Sequence, residues 1–412
     1  MFRPGTLAIP QPVHVEAATA GRCAVRRLRL TDFRGYAQLS LDLDARPVVL
    51  TGENGAGKTN LLEAVSFLVP GRGLRGARLT EVSRRAPGDA VDARPRPWAV
   101  AASVEAGDGP FDIGTGLAPD STAPGRRVVR LDGAPQRGQA ALGERLSALW
   151  LTPDMERLFT DGAGARRRFL DRLVFAFDPA HSGRLKGYEN AMRDRARLLK
   201  RADGDGRPPD AAWLSALEAT MVERGVAVAA ARVELVHRLN PACVLGVGPF
   251  PAAELSIDGE IDGWLAAMPA VEAEDRYRAR LAETRARDAE SGTTACGPHR
   301  GDLKVLHLGR NADAAQCSTG EQKALLIAIV LANARLQTLE AGRVPLLLLD
   351  EVAAHLDKVR RDALFDEIAA LGAQAWLTGT DAATFAPLGH DAQFFTVAAA
   401  TLHPTDQSRL TA

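Results

Sequence analysis

The chain has few cysteines, few lysines, no excess of either charge and no long apolar run. Its four cysteines form no C-x-x-C pair, which argues against a disulfide framework or a zinc site and favours a reducing, cytoplasmic location. The balance of 51 basic and 51 acidic residues excludes a uniformly basic nucleic-acid binder but allows a local basic face. Apolar runs are shorter than the roughly 18–20 residues of a membrane span, so we expect no membrane partner.

The size and composition indicate a folded protein of two or three domains, or of one large domain that carries an insertion. Its 412 residues are 46% hydrophobic and 25% charged. Residues 1–21 contain scattered prolines and alanines but lack the charged start, apolar centre and cleavage site of a signal peptide. We therefore predict that residues 1–21 are a flexible N-terminal extension, or that the start of the chain has been assigned too far upstream.

Hydrophobic patterns predict an α/β fold interrupted by a helical insertion. The predicted strands are 25–30, 39–43, 48–51, 98–105, 111–116, 127–131, 146–151, 253–257, 302–308, 344–349 and 374–378. The predicted helices are 58–69, 165–178, 184–202, 210–240, 270–290, 319–340 and 358–370. Turn residues between 98 and 131 favour an antiparallel meander. We divide the chain into a first lobe (22–171), a helical lid or arm (172–294) and a second lobe (295–412).

A glycine-rich loop between a buried strand and a helix matches the phosphate-binding pattern G-x-x-x-x-G-K-[ST]. This phosphate loop consists of Gly52, Glu53, Asn54, Gly55, Ala56, Gly57, Lys58 and Thr59. Its glycines let backbone N–H groups turn towards a polyphosphate, and the start of the following helix faces the same anion. We expect Lys58 to contact the β- and γ-phosphates and Thr59 to ligate Mg²⁺.

An apolar run over residues 344–349 ends in the acidic pair Asp350 and Glu351. By itself this pattern fits a buried strand with a solvated acidic end equally well. Together with the phosphate loop, it predicts that Asp350 completes the Mg²⁺ shell and that Glu351 polarises the attacking water as a general base. Lys58, Asp350 and Glu351 are therefore the candidate catalytic residues.

The segment CSTGEQK, residues 317–323, begins an apolar helix. Ser318 and Glu321 have the spacing of a capping box, which is a purely structural interpretation. A helix start with free N–H groups is also a candidate anion site. Two phosphate-binding helix starts in one chain suggest a dimer in which each chain covers the nucleotide of the other.

The order of these motifs is that of ABC-type ATPases, and the helical insertion resembles the SMC and Rad50 branch. More closely, the chain resembles the RecF family of bacterial recombination mediator ATPases over roughly residues 23–385. The matching segments are 30–36 (LTDFRGY), 51–63 (TGENGAGKTNLLE), 166–171 (RRRFLD), 188–200 (YENAMRDRARLLK), 297–300 (GPHR) and 378–380 (TGT). The RRRFLD, GPHR and TGT segments are the most specific to that family.

The resemblance implies an α/β ABC-type ATPase head with an inserted helical arm, binding ATP and Mg²⁺. It further implies an ATP-dependent homodimer that binds double-stranded DNA at single-strand gaps. RecO and RecR would be its partners in promoting RecA loading, and slow hydrolysis would drive release. By motif, Ser318 and Gly320 would contact the γ-phosphate of the partner's ATP, and Asp357 would lie in the loop that joins the two sites.

The chain departs from the family pattern at Gly301 and Asp154, and from most ABC ATPases at residues 378–380. Gly301 interrupts the usual acidic continuation of the GPHR segment, although Asp302 remains. Residues 378–380 replace the switch histidine of most ABC ATPases, as the family does, which argues against fast hydrolysis. Asp154 stands where a glutamine-containing sensor loop is expected.

His299 fits either a residue near the nucleotide or dimer interface, or a turn residue satisfied by backbone contacts.

Clusters of basic residues are the candidate DNA-binding surfaces, because duplex binding requires cations that displace counterions. Arg26, Arg27, Arg29 and Arg34 lie near the first strand, and 166–168 is an arginine triplet. Segment 184–201 has seven basic residues against two acidic ones. We take Arg166, Arg167, Arg193 and Arg197 as candidate contacts. A solvated face of an arginine-rich protein is the alternative for each cluster.

Two other functions fit parts of the sequence. A scaffold would bind ATP without hydrolysis and dock repair proteins. A transporter motor would need a membrane partner and normally a switch histidine, and the helical insertion fits it poorly. A linked nuclease is disfavoured because no separate acidic metal cluster follows Asp357.

Overall fold

The computed structural model describes residues 22–86, 88–90, 94–117, 127–205 and 210–405. Its strands are β1 (Ala24–Phe33), β2 (Tyr36–Asp42), β3 (Val48–Thr51), β4 (Trp98–Ala106), β5 (Gly109–Leu117), β6 (Arg127–Leu131), β7 (Ala134–Pro135), β8 (Ala148–Leu151), β9 (Ala253–Asp258), β10 (Asp302–His307), β11 (Ala312–Asp313), β12 (Leu346–Leu349), β13 (Ala375–Gly379), β14 (Gln393–Ala398) and β15 (Thr401–Pro404). Its helices are α1 (Lys58–Ser66), α2 (Ala140–Arg145), α3 (Ala163–Val174), α4 (His181–Asp205), α5 (Ala211–Leu245), α6 (Glu260–Ala267), α7 (Ala270–Glu283), α8 (Arg285–Ser291), α9 (Thr319–Ala341) and α10 (Lys358–Leu371). The predicted extension, residues 1–21, lies outside the described residues.

A six-stranded sheet in the order β15-β14-β3-β13-β12-β8 forms the centre of the nucleotide-binding region. Strands β14, β3, β13, β12 and β8 are parallel, and β15 is an antiparallel edge strand. Their carboxyl ends therefore share one edge, the usual position of a ligand site in such sheets. The phosphate loop follows β3 at this edge, and Asp350 follows β12.

Strands β3, β8 and β12 are buried throughout, and apolar apart from Thr51, because both faces of the parallel sheet are covered. Alternate residues enter two different cores. Val48 and Leu50 pack on the side of the antiparallel sheet β2-β1-β4-β5-β6-β7 and helix α1. Val49, between them, packs on the opposite side with α9, α3 and the end of α5. The antiparallel meander predicted for residues 98–131 is confirmed.

The helical region contains the α4–α5 hairpin, with α7 and α8 packed against it and a separate small core around Tyr188, Met221 and Tyr277. It is joined to the second lobe in two ways. The C-terminal part of α5, from Leu235, packs in the same core as α9. Strand β9 also pairs with β10, in a three-stranded sheet β11-β10-β9. The division of the chain at residues 172 and 295 stays a prediction.

The remaining differences from the sequence-based elements are local. Residues 270–290 form two helices rather than one, because the chain breaks at Thr284, whose hydroxyl donates to Asp288. Helix α1 ends at Ser66, before the predicted Val69. Helix α4 continues to Asp205, so residues 203–205 of the turn predicted at 203–209 are helical; residues 206–209 lie outside the described residues. Helices α2 and α6 and strands β7, β11, β14 and β15 were not predicted.

Helix α9 is the one described helix that is long and apolar enough to cross a membrane by length and composition. Its most apolar 18-residue window has a mean hydropathy of 1.4, but 72% of that window is buried inside the protein. Its apolar side chains pack under the parallel sheet. The packing identifies α9 as a core helix.

A buried ion pair connects helices α3 and α5. Asp171 accepts two hydrogen bonds from Arg232, from Nε and Nη2, both at 2.8 Å. It also lies 2.8 Å from Nε2 of His181, and Arg232 Nη1 donates to the carbonyl of Pro298. Burial raises the pKa of Asp171, but His181 and Arg232 outweigh this effect, and the net pKa is lowered.

We predict that Asp171→Ala lowers the free energy of unfolding by about 3–5 kcal/mol near neutral pH, because Arg232 loses its buried partner. A depressed folded-state pKa contributes stability above the unfolded carboxyl pKa, and this contribution is lost as the pH falls through the folded-state pKa. The loss caused by the variant should therefore shrink at acid pH. Urea unfolding over a pH series measures both effects.

The matched control is Asp275→Ala, which removes an aspartate from an exposed pair with Arg278 on α7. This control should cost at most about 1 kcal/mol. Equal losses in the two variants would show that the Asp171–Arg232 pair does not stabilise the junction of the helices.

Candidate functional site

The phosphate loop connects β3 to α1 through three glycines with positive φ: Gly52 at 140°, Gly55 at 82° and Gly57 at 115°. A side chain at Gly52 would place its Cβ 2.3 Å from the backbone oxygen of Val397 in β14. A Cβ at Gly57 would lie 2.8 Å from the hydroxyl of Tyr36. These positions therefore require glycine for conformation and for space.

The hairpin of β14 and β15 supports the loop from behind. The N–H of Ala400 donates to the carbonyl of Ala56 at 3.1 Å. Glu53, Asn54 and Gly55 are exposed, and a Cβ at Gly55 would meet no atom within 4 Å. The loop thus has a supported rear side and an open front side, as an anion-binding loop requires.

Lys58 begins α1 and points back into the loop. Its side chain is only 5% exposed, and Nζ donates to the carbonyls of Gly52 at 2.6 Å and Glu53 at 3.1 Å. Nζ also lies 3.5 Å from Oε1 of Glu351. The ammonium group is therefore held inside the loop, next to an acid at the end of β12.

Asp350 lies at the centre of a cluster of hydroxyl groups. Thr59 Oγ1 lies 2.9 and 3.0 Å from its two carboxylate oxygens. Thr378 Oγ1, on β13, donates to Oδ1 at 2.7 Å. The structure thus brings together Thr59 and Asp350, the two predicted metal ligands, which are 291 residues apart. Carboxylate and hydroxyl oxygens are hard ligands of the kind that Mg²⁺ prefers.

Glu351 follows in the left-handed conformation, with φ at 55°. Its side chain is 23% exposed, and its N–H donates to Thr378 Oγ1 at 2.9 Å. This conformation is uncommon for a residue with a side chain and is often found at functional sites. Glu351 contacts Lys58 and shares Thr378 with Asp350, so the three predicted residues lie in one site. The carboxylate of Glu351 is chemically able to accept a proton from water.

The segment around Ser318 forms a helix cap on the protein surface. Ser318 is the N-cap of α9, and its N–H and hydroxyl donate to Oε2 of Glu321 at 3.0 and 2.8 Å. The hydrogen bonds from Ser318 and the charge of Arg310 lower the pKa of Glu321. Gly320 is exposed, and a Cβ there would meet nothing within 4 Å. Within the described part of the chain, no hydrogen bond or ion pair joins Ser318 or Gly320 to the phosphate loop.

Asp357 and Asp154 both lie at the surface. Asp357 is the N-cap of α10, and its carboxylate accepts the N–H of Arg360 at 2.9 Å. Asp154 is exposed in the short 3-10 turn Pro153–Arg157 after β8. In the same turn, Glu156 forms an ion pair at 2.8 Å with Lys323 of α9, a contact that the sequence reasoning did not identify.

Two arginines of the triplet, Arg166 and Arg167, bind groups of the protein itself, whereas Arg168 is exposed. Arg166 binds Asp302 through two hydrogen bonds, at 2.7 and 2.9 Å, and its side chain is 14% exposed. Arg167 donates to the carbonyl of Gly301 at 2.6 Å. The predicted DNA contacts of Arg166 and Arg167 stay untested, and these bonds argue against them.

Arg193 and Arg197 lie exposed on α4. Arg193 donates to the side chain of Asn190 at 2.6 Å. Arg197 pairs with Asp194 at 3.0 Å, and 69% of its side chain is exposed. Surface pairs of this kind are weak, so both guanidinium groups can exchange their present partners for a phosphate.

His299 belongs to a buried polar cluster of the helical region. Its Nδ1 accepts from the hydroxyl of Tyr188 at 2.6 Å, and its Nε2 donates to the carbonyl of Thr294 at 3.0 Å. Burial lowers the pKa of His299 to about 4, so the ring is neutral at neutral pH. Gly297 is required here, because its Cβ would lie 2.2 Å from the hydroxyl of Tyr188. These contacts support the interpretation of His299 as a satisfied structural residue.

Comparisons with known proteins identify one family. Residues 24–392 match the family model described as RecF/RecN/SMC N terminal domain. A "DNA replication and repair protein RecF" from Agrobacterium fabrum is 50% identical over 378 residues, covering 91% of this chain and 97% of that protein. A protein with the same description from Caulobacter vibrioides is 50% identical over 370 residues, covering 88% and 93%.

Solved structures show the same fold. A structure described as the recombination mediator protein RecF-ATPrS in the RecFOR pathway matches with a TM-score of 0.78 and 20% identity, covering 93% of this chain and 99% of that one. The Smc head domain from Pyrococcus furiosus matches with a TM-score of 0.51 and 16% identity, covering 94% and 98%. The chain therefore has the fold of an ABC-type ATPase head, as predicted.

We predict that Gly52→Ala destabilises the protein more than Gly55→Ala. The new methyl group at residue 52 would collide with the backbone of β14. At residue 55 the methyl group would meet no atom within 4 Å, so the substitution costs only the strain of a positive φ. The collision should cost about 1–3 kcal/mol more. Thermal melts of the two variants measure the difference, and equal melting temperatures would contradict it.

Proposed function

The chain belongs to the RecF family, and we propose that it is an ATP-dependent DNA-binding protein of recombinational DNA repair and replication. ATP closes two heads into a homodimer, and the closed dimer binds double-stranded DNA at single-strand gaps. Slow, DNA-stimulated hydrolysis then opens the heads and releases the DNA. The protein acts in the cytoplasm with RecO and RecR to promote RecA loading.

The observation that carries the proposal is the convergence of Lys58, Thr59, Asp350 and Glu351 at one edge of the parallel sheet. The phosphate loop holds its ammonium group between backbone carbonyls and the carboxylate of Glu351. A triphosphate entering the loop offers this group stronger anionic partners than neutral carbonyls. Lys58 would then contact the phosphates, and the backbone N–H groups of residues 52–57 would surround them.

The hydroxyl of Thr59 and the carboxylate of Asp350 would hold Mg²⁺, because they already lie in contact and supply hard oxygen atoms. When bound, Mg²⁺ supplies positive charge that offsets the charge developing on the phosphate oxygens. Glu351 would accept a proton from the attacking water at its carboxylate. The same carboxylate can also remain next to Lys58, which is one physical reason for slow turnover.

The exposed cap of α9 supports a dimer. Ser318 and Gly320 lie on the surface, where the open space around Gly320 admits a close approach by another molecule. The start of a helix of 23 residues attracts anions. In the proposed dimer, each chain's Ser318 and Gly320 contact the γ-phosphate of the ATP held by the partner, and Asp357 lies in the connection between the two sites.

We include RecO and RecR as partners because of the similarity of the chain to RecF proteins. One structural relative is described as a recombination mediator in the RecFOR pathway. Half of the residues are identical to those of curated RecF proteins over nearly the full length of both chains. A scaffold that binds ATP without hydrolysing it remains the rival function, and the first experiment below separates the two.

The exposed face of α4 is the DNA-binding surface we favour. Basic residues recur along it at helical spacing: Lys186, Arg193, Arg197, Lys200 and Arg201. From the first to the last of them the helix rises by about 22 Å, or roughly two-thirds of a turn of duplex DNA. Arg195 lies between them in sequence but is fully buried with Glu218 and Asp288, so the surface is less basic than the sequence suggests.

The proposal is tested by binding to a gapped duplex, with and without ATP and Mg²⁺, with light scattering in parallel. We expect ATP to double the mass and to raise the DNA affinity by about tenfold or more, since closure couples the two sites. Lys58→Ala should lose both effects. ATP binding without any gain in DNA affinity or mass would favour the scaffold.

We predict that Arg193→Ala combined with Arg197→Ala weakens binding to any duplex sequence. If both residues contact phosphates, the slope of log K against log salt should fall in magnitude by up to about 2. The control is Arg278→Ala combined with Arg287→Ala, which removes two exposed arginines from α7 and α8. The same slope in both double variants would exclude α4 as the DNA surface.

A further inference from the structure

The hydroxyl group of Thr378 forms hydrogen bonds with both acidic residues of the site, with the carboxylate of Asp350 and with the backbone N–H of Glu351. Thr378 is fully buried on β13, next to β12, the strand that ends just before Asp350. Its Oγ1 donates its proton to Oδ1 of Asp350 at 2.7 Å and accepts the N–H of Glu351 at 2.9 Å. We propose that Thr378 is a positioning residue that orients Asp350 for metal binding and fixes the backbone of Glu351 for hydrolysis. This inference rests on the proposed ATPase function.

Asp350 is held from two sides. The hydroxyl of Thr59 approaches from α1, and that of Thr378 approaches from β13. Thr59 is expected to turn to Mg²⁺, whereas Thr378 has no such role and can keep its bond. Outer partners of this kind fix the orientation of a metal-binding carboxylate, and their loss typically reduces metal affinity or activity by about 10- to 100-fold.

Glu351 needs a fixed backbone because its conformation is unfavourable. A φ of 55° is costly for a residue with a Cβ and persists only where the surroundings enforce it. The hydrogen bond from its N–H to Thr378 is one such constraint. Relaxation towards a right-handed or extended conformation would turn the carboxylate away from Lys58, and with it from the phosphate loop.

Burial separates Thr378 from Thr380, the other threonine of the TGT segment. Thr378 is the fourth residue of β13, and its side chain lies inside the protein, whereas Thr380 follows the strand and is exposed. A buried threonine in a strand is often only a packing residue, since its β-branched side chain suits the sheet. Here, however, the hydroxyl satisfies both of its hydrogen-bonding functions within the site.

The test is Thr378→Val, which keeps the shape of the side chain and removes the hydroxyl. We expect nucleotide affinity measured in EDTA to stay within about threefold, since Thr378 contacts neither Lys58 nor the phosphate loop. Mn²⁺ affinity in the presence of ADP, measured by electron paramagnetic resonance, should fall by about 10- to 100-fold. The kcat for ATP should fall by a similar factor at saturating Mg²⁺, because Glu351 is no longer fixed.

Two variants separate positioning from folding. Thr378→Ser keeps the hydroxyl and should restore Mn²⁺ affinity and kcat to within about threefold of the wild type, even if it packs less well. Thr396→Val removes a hydroxyl from the neighbouring part of the same sheet, where Thr396 bonds to Thr405. It should lower the melting temperature by no more than Thr378→Val while leaving Mn²⁺ affinity unchanged.

The possible outcomes distinguish this inference from the proposed function. If wild type and Glu351→Gln hydrolyse ATP equally slowly, the hydrolysis proposal fails, and the Mn²⁺ measurement still tests Thr378 against Asp350. Unchanged Mn²⁺ affinity in Thr378→Val would overturn the inference. Equal losses of Mn²⁺ affinity and kcat in Thr378→Val and Thr378→Ser would also overturn it, because a loss that occurs whether or not the hydroxyl is present reflects packing alone.

Discussion

The parallel alignment of β3, β13 and β12 is the constraint on which the candidate site depends. Parallel strands end at the same edge of a sheet, so residues from distant parts of the chain meet there without any local signal that joins them. Thr59, Asp350 and Thr378 come from three such places and share hydrogen bonds. The two cores on either face of the sheet hold this alignment, because each strand contributes alternate side chains to both.

Much of the fold and the centre of the site could be predicted from the sequence because their signals are local. The phosphate loop lies within eight residues, and Asp350 follows an apolar run that is typical of a strand buried on both faces. Thr378 could not be assigned its role in the same way, since its partners lie 27 and 28 positions away. Strand β14, whose backbone closes against Gly52, also went unpredicted, because its residues carry no motif.

Charges were the least predictable feature, because a sequence does not say which side of a helix faces inward. Arg166, Arg195 and Arg232 resemble other arginines of the chain, yet each is paired with a carboxylate, and Arg195 and Arg232 are fully buried. Breaking such a pair leaves an uncompensated charge in a medium of low dielectric. The pairs of Arg166 and Arg232 join α3 to β10 and to α5, whereas the pairs of Arg195 hold α4, α5 and α8 together within the helical region. The family-specific segments around residues 166–171 and 297–300 thus contribute to this junction rather than to the nucleotide site.

Helix α5 extends over 35 residues, about 52 Å, and belongs to two cores at once. Leu214 and Met221 lie in its arm portion, whereas Leu235 and Leu239 pack with α9, whose first turn carries the proposed γ-phosphate contact. The C-terminal end of α5 is therefore fixed beside α9, and the rest of the helix projects into the arm. Its arm portion extends about 36 Å beyond Leu235, so a rotation of about 5° at that end moves the far end by about 3 Å. A small rotation beside α9 would thus displace the tip of the arm by about the length of a hydrogen bond, and the basic face of α4, which lies closer to Leu235, by less.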